Sequence, residues 1–145
     1  MKQNDFTADD DLARVMEHDG VNKVDLVKYE NLNSIRLEHI KNEMGDPPWA
    51  VRIVYNKLFG GVLICQNPGE GNRLHYHPDA DECWVIMEGE WEWFIDGVGL
   101  KRVQKDDIVL VPKNTQHFIK CIGEQPGIRF AVTKPDVNHI YVEEK

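Results

Sequence analysis

Two histidines one residue apart, a glutamate shortly after them and a further histidine downstream are the residues that could hold a metal. His75 and His77 lie in the run Arg73 to His77, which reads as a strand. Side chains alternate between faces along a strand, so both imidazoles point the same way, with their Cα atoms about 7 Å apart. Glu82 follows the Pro78-Asp79 turn at the start of the next run, where a hairpin would return its carboxylate beside them. His117 opens a later run after Pro112-Lys113-Asn114-Thr115-Gln116 and offers a third imidazole. Three imidazoles and one carboxylate form a borderline-hard ligand set suited to Fe2+, Mn2+, Ni2+, Cu2+ or Zn2+. Ca2+ and Mg2+ want oxygen-rich shells instead. His18, His39 and His139 stand outside this pattern and are read as structural.

Strand parity nominates neighbours for these four. Arg73 is two residues before His75 and is expected on the same interior face, where its guanidinium could grip a carboxylate or phosphate of a substrate. The competing account is an ion pair with an internal carboxylate or an exposed strand end. Trp84 shares parity with Glu82, and Trp91 and Trp93 alternate with Glu90 and Glu92, which places the indoles inward. These three tryptophans could wall a substrate site by stacking, and plain core packing is the competing account. Cys121 shares parity with His117 and is read as a buried, inert thiol near the site. Tyr76 must face away from the two histidines, and Asp79 and Asp81 are read as a solvated turn.

The elements that must position these residues are mostly short β-rich runs. They are Val51 to Tyr55, Val62 to Gln66, Arg73 to His77, Cys83 to Met87, Trp91 to Ile95, a run around Val103, Ile108 to Val111, His117 to Cys121 and Ile128 to Thr133. Turn residues punctuate them at Gly60-Gly61, Asn67-Pro68-Gly69, Glu88-Gly89, Asp96-Gly97 and Gln125-Pro126-Gly127. So many strands at regular spacing predict an all-β body, a jelly roll or a barrel. Before residue 49 the pattern is different. Thr7-Ala8-Asp9-Asp10 has the shape of a capping box, and Leu12, Val15 and Met16 follow at helical spacing, which predicts a helix near 8–18. Val24 to Tyr29 alternates like a strand, while Leu37, Ile40 and Met44 share a helical face, with Ser34 as a possible cap and Gly45 as the stop. The expected organisation is therefore a helical N-terminal extension over 1–48 and a β-barrel over 49–145.

Composition narrows the function classes. Seventeen Lys and Arg against 25 Asp and Glu leave a net charge of −8 over 145 residues. A nucleic acid or an anionic membrane surface would need clustered cations, so neither is expected as a partner. Cys65, Cys83 and Cys121 are odd in number and widely spaced, which fits neither a disulfide framework nor a zinc ribbon. With no apolar leader or bilayer-length run, a cytoplasmic protein is expected.

Gly69, His75-Tyr76-His77, Glu82 and Gly89, with intervals of five, four and six residues, resemble the first motif of the cupins along its whole length. Residues 106–121 resemble the second motif: Pro112 and His117 match, while Asp106, Asn114 and Cys121 stand where that family usually has Gly, Gly and Asn. The resemblance covers roughly residues 50 to 135. It implies a jelly-roll β-barrel, one divalent transition metal on His75, His77, Glu82 and His117, with Fe2+ or Mn2+ favoured, and a homodimer. It also implies a dioxygenase or other oxidoreductase acting with O2 on a small polar or anionic organic molecule. The alternatives are a non-redox isomerase, epimerase or lyase, and a small-molecule-binding cupin without turnover. No catalytic base is identifiable in the sequence.

Overall fold

A computed structural model describes residues 9–142. The helix expected near 8–18 is α1, Asp9–His18; the Thr7 and Ala8 portion of the expected capping box lies outside the described residues. Two sheets follow. The six-stranded sheet runs β1-β2-β3-β10-β5-β8, and the five-stranded sheet runs β11-β4-β9-β6-β7. Their strands are β1 Lys23–Asp25, β2 Trp49–Tyr55, β3 Gly60–Gln66, β4 Gly71–Tyr76, β5 Glu82–Glu88, β6 Glu90–Ile95, β7 Gly99–Gln104, β8 Ile108–Val111, β9 His117–Ile122, β10 Gly127–Thr133 and β11 Ile140–Tyr141. The all-β double-sheet expectation is met as a jelly roll of two facing sheets.

Chain order and space disagree at the site. β4 lies in the five-stranded sheet and β5 in the six-stranded one, so the Pro78-Asp79 turn crosses between sheets and does not close a hairpin. Glu82 therefore faces the histidines from the opposite wall. The interior between the sheets is filled by Trp84, Ile86, Trp91, Trp93, Ile119 and Cys121, with Val15 and Met16 of α1 packed into the same cluster. Along β5, β6 and β9 burial alternates residue by residue, as one-sided burial of an antiparallel sheet requires.

β2 and β3 are buried almost continuously because their outer face is also covered. Tyr29, Ile40, Trp49, Val51, Leu63, Cys65 and Ile128 form a second core there, and Ile40 comes from α2, Leu37–Met44. Residues 9–48 thus carry α1 and α2 and add a strand and a second packed layer to the sheet. Of the expected Val24–Tyr29 strand only Val24 and Asp25 pair, in β1 with Lys23 and parallel to β2. Beyond it the Asp25 carboxylate accepts from the Val27 and Lys28 amides and turns the chain out of the sheet. The N-cap of α2 is Arg36, not Ser34, with no side-chain cap, and Gly45 closes the helix at φ 75°. Gly60 and Gly61 belong to β3 itself, the turn falling earlier at Asn56, whose side chain accepts from the Leu58 and Phe59 amides.

Candidate metal centre

His75 on β4 lies opposite His117 on β9 in the five-stranded sheet. His77 follows one residue past the end of β4, and Glu82 begins β5 on the facing sheet. All four are buried. The ring centroids of His75 and His117 are 4.3 Å apart, those of His75 and His77 5.0 Å, and those of His77 and His117 5.3 Å. His77 Nε2 lies 3.2 Å from Glu82 Oε1, and His117 Nε2 lies 3.7 Å from the same oxygen. The structure brings together the four residues that the sequence nominated as ligands.

What each ring does with its other nitrogen argues for a ligand role. His75 Nδ1 faces the Arg73 carbonyl at 2.6 Å, His77 Nδ1 the Asn138 carbonyl at 2.8 Å and His117 Nδ1 the Thr115 carbonyl at 3.0 Å. A carbonyl only accepts, so each Nδ1 carries a proton and Nε2 is the nitrogen turned to the interior. Such outer hydrogen bonds fix the tautomer and aim of metal-binding imidazoles. His117 Nε2 is buried with no hydrogen-bond partner, an expense that a bound cation would remove. The residues present fit a divalent transition metal.

The electrostatics run the same way. Burial would raise the Glu82 carboxyl, but His77 and His117 hold it well below the usual carboxylate range. Burial would lower His77, and the Glu82 charge outweighs that and raises it. His75 is pushed well below the ordinary imidazole value, by burial first and then by the other histidines. The His77–Glu82 pair is therefore where the cluster favours a proton, and His75 is favoured neutral.

The second motif keeps its backbone despite its departures. Asp106 and Asn114 adopt φ 78° and φ 63°, the left-handed region that glycine favours. Asn114 then donates its N–H to the His77 carbonyl at 2.8 Å, so the turn before His117 is tied to the segment carrying His77.

Arg73 is placed differently from its parity. Asn72 pairs with Ile119 and His75 with His117, three residues on β4 against two on β9. This bulge puts Asn72, not Arg73, on the His75 face. Asn72 lines the cavity beside His75 and accepts from the Ile119 amide through Oδ1 at 2.8 Å. Arg73 is turned outward, its side chain 42% exposed, bonded to Asp19 at 2.9 Å and lying 3.8 Å over the Tyr141 ring. It does not line the cavity. Of the three tryptophans, Trp84 lines the cavity and donates to Glu82 Oε1 at 3.1 Å. Trp91 and Trp93 are fully buried in the core and stand outside the cavity wall. Cys121 is likewise core, its thiol raised by burial.

Sequence reasoning missed His139, and Arg129 as well. His139, structural by its sequence context, has its ring 4.7 Å from His77 and 5.4 Å from His75 and lines the cavity. Ring nitrogens of His75, His77 and His139 fall within 4.8 Å of one another. Burial and then His77 lower it to about 3. No motif could have flagged it, because only the pairing of the two-residue β11 with β4 brings it there. Asp79, read as solvated turn, holds the same tail by Lys134 at 2.9 Å and Asn138 at 3.3 Å. Arg129 had a signal: it is a lone cation inside the apolar run Ile128 to Thr133.

Residues 62–133 match the model of the Cupin domain family. Oxalate decarboxylase OxdC of Bacillus subtilis is 25% identical over 93 residues, covering 56% of this chain and 22% of its own length. The polyketide synthase protein CurC of Streptomyces cyaneus is 27% identical over 90 residues, covering 59% and 57%. The chain thus matches less than two thirds of the length of either curated relative. A conserved Klebsiella pneumoniae protein with a double-stranded β-helix domain superposes with a TM-score of 0.65 and 18% identity, over 79% of this chain and 100% of that one. A structure addressing the Mn(II) centres of the Bacillus subtilis decarboxylase superposes at 0.52 with 24% identity, over 55% and 22%. This chain belongs to the cupin superfamily.

Proposed function

We propose that this cupin is a mononuclear-metal enzyme that holds Fe2+ or Mn2+ on His75, His77, Glu82 and His117 and acts as a dioxygenase or other oxidoreductase on a small polar or anionic organic molecule. The observation that carries the reading is the clustering of three buried imidazoles with one carboxylate, His77 and His117 facing it through Nε2 and each Nδ1 anchored to a carbonyl. When bound, such an ion supplies Lewis acidity and, as Fe2+ or Mn2+, one-electron chemistry with O2. The chain supplies the rest. Trp84 orients the Glu82 carboxylate, and Leu12, Val15 and Met16 of the α1 region line the cavity with apolar surface that excludes water.

Metal content is the first test. Protein reloaded anaerobically with Fe2+ or Mn2+ should bind one ion per chain, and Glu82→Ala and His117→Ala should lose it. Wild-type affinity in both variants would overturn the site. Oxygen uptake by the loaded protein over a panel of small organic acids then tests the reaction. Turnover without oxygen uptake would sink the dioxygenase and favour a lyase, a second reading supported by the decarboxylase among the relatives. Metal-dependent binding of an acid without turnover would instead mark a binding protein.

A further inference from the structure

Arg129 on β10 is 1% exposed and lines the same cavity as His75, Glu82 and Asn72. Nε and Nη2 donate to one acceptor, Gln66 Oε1, at 3.3 and 2.8 Å. The Trp84 and Trp91 rings lie 4.8 and 5.2 Å from its Cζ. Nη1 is buried and has no hydrogen-bond partner among the described residues. A buried guanidinium held, among the described residues, by a neutral amide and two ring faces is unusual, because burying a charge is costly unless an opposite charge answers it.

The cavity's other cations are already answered: Arg52 bonds Glu30 at 3.0 Å and Lys134 bonds Asp79 at 2.9 Å. The carboxylates that sense the Arg129 charge are Asp19 and Glu82, and both are committed, Asp19 to Arg73 and Glu82 to the histidines. Among the described residues Arg129 has no carboxylate within ion-pair distance. A divalent ion on Glu82 would leave no carboxylate of the described residues to pair with Arg129, and an incoming anion would answer its charge. The wall also carries the apolar side chains of Val62, Ile64, Ala131 and Met16, with Tyr55, Thr133, Asp136 and His139 among its polar members.

We propose that Arg129 is the anion receptor of this cavity, Nη1 taking the carboxylate of an organic acid whose apolar body lies along Ile64, Ala131 and Met16. This rests on reading the cavity as the substrate site of the metal centre, and it moves the anion-binding role that parity gave to Arg73 onto the facing sheet. The neighbouring rings favour a carboxylate, which is flat like the guanidinium and pairs with it edge to edge.

The full chain can be titrated, with and without Co2+, using acetate, butanoate, hexanoate and benzoate, with 1-butanol as the neutral control. In wild-type protein the side-chain NMR signals of Arg129 should move with an acid and stay still with the alcohol, with or without metal. Arg129→Gln should bind the same acid roughly ten- to a hundredfold more weakly, as loss of a charge-assisted hydrogen bond predicts, and keep its alcohol and Co2+ affinities. Because that variant can fail to fold, the wild-type titration decides alone. If no acid moves the Arg129 signals, the proposal is overturned, including the case in which acids perturb the Co2+ spectrum and therefore sit on the metal only. If the signals move in protein that binds no metal, the receptor stands and the metal-enzyme reading fails.

Discussion

Arg73 shows how much one inserted residue changes. With the bulge it becomes a clasp between β4, the end of α1 and Tyr141 of β11. Its partner Asp19 is only 4% exposed at the side chain, while Arg73 itself is 42% exposed. Exposed pairs are worth up to about 1 kcal/mol, and breaking a buried one costs about 3–5 kcal/mol. Arg73→Ala should therefore cost roughly 1–2 kcal/mol in urea unfolding and leave metal affinity unchanged. The cost should depend on pH. Burial raises the Asp19 carboxyl despite Arg73, so the folded state holds that proton more tightly than the unfolded one. The stability it contributes is full below the unfolded value of about 4 and is lost as pH rises through the folded value. Without Arg73 the carboxyl rises further, so the deficit of the variant should shrink toward about pH 4 and grow toward about pH 7. A deficit independent of pH would show that the two residues are not coupled.

At the scale of the elements, the site depends on β4 and β9 approaching closely. A Cβ at Gly71 would lie 1.9 Å from the Ile119 carbonyl oxygen, a backbone atom that cannot move without separating the strands. Gly71→Ala should cost about 3 kcal/mol, at the upper end for overpacking, and weaken metal binding, because the pairing that sets His75 against His117 starts there. Thermal unfolding and metal titration of the variant check both. The strands themselves were legible in the sequence because alternation has a period of two and the turns carry glycine, proline and asparagine. The bulge was not legible, since nothing in Asn72-Arg73-Leu74 distinguishes a residue that pairs from one that is squeezed out. The two-residue β11 and the three-residue β1 were likewise too short to show a period.

For the whole molecule, the proposed ligands come from two sheets, so a bound metal should tie them together. An ion that binds only the folded state stabilises it by about 4 kcal/mol at a concentration a thousandfold above its Kd. For a chain of this size that corresponds to an upward shift in Tm of roughly 10 °C. Calorimetry with Mn2+ should show the shift, EDTA should reverse it, and Glu82→Ala should show none. An equal shift in Glu82→Ala would place the ion elsewhere.

His75, His77, Glu82 and His117 could be named from the order of residues alone, because their spacing combines with strand periodicity, a local property. So could the all-β class. Which sheet each strand joins is not local. Crossing from β4 to β5 made Glu82 the opposite wall, pairing of β11 with β4 carried His139 to the cavity, and the bulge exchanged Arg73 for Asn72. Arg129 became the cavity's unanswered cation only when β10 was laid between β3 and β5. The physical reason is common to all four: contacts between residues far apart in the chain depend on register and sheet order, which the packing of the whole core selects.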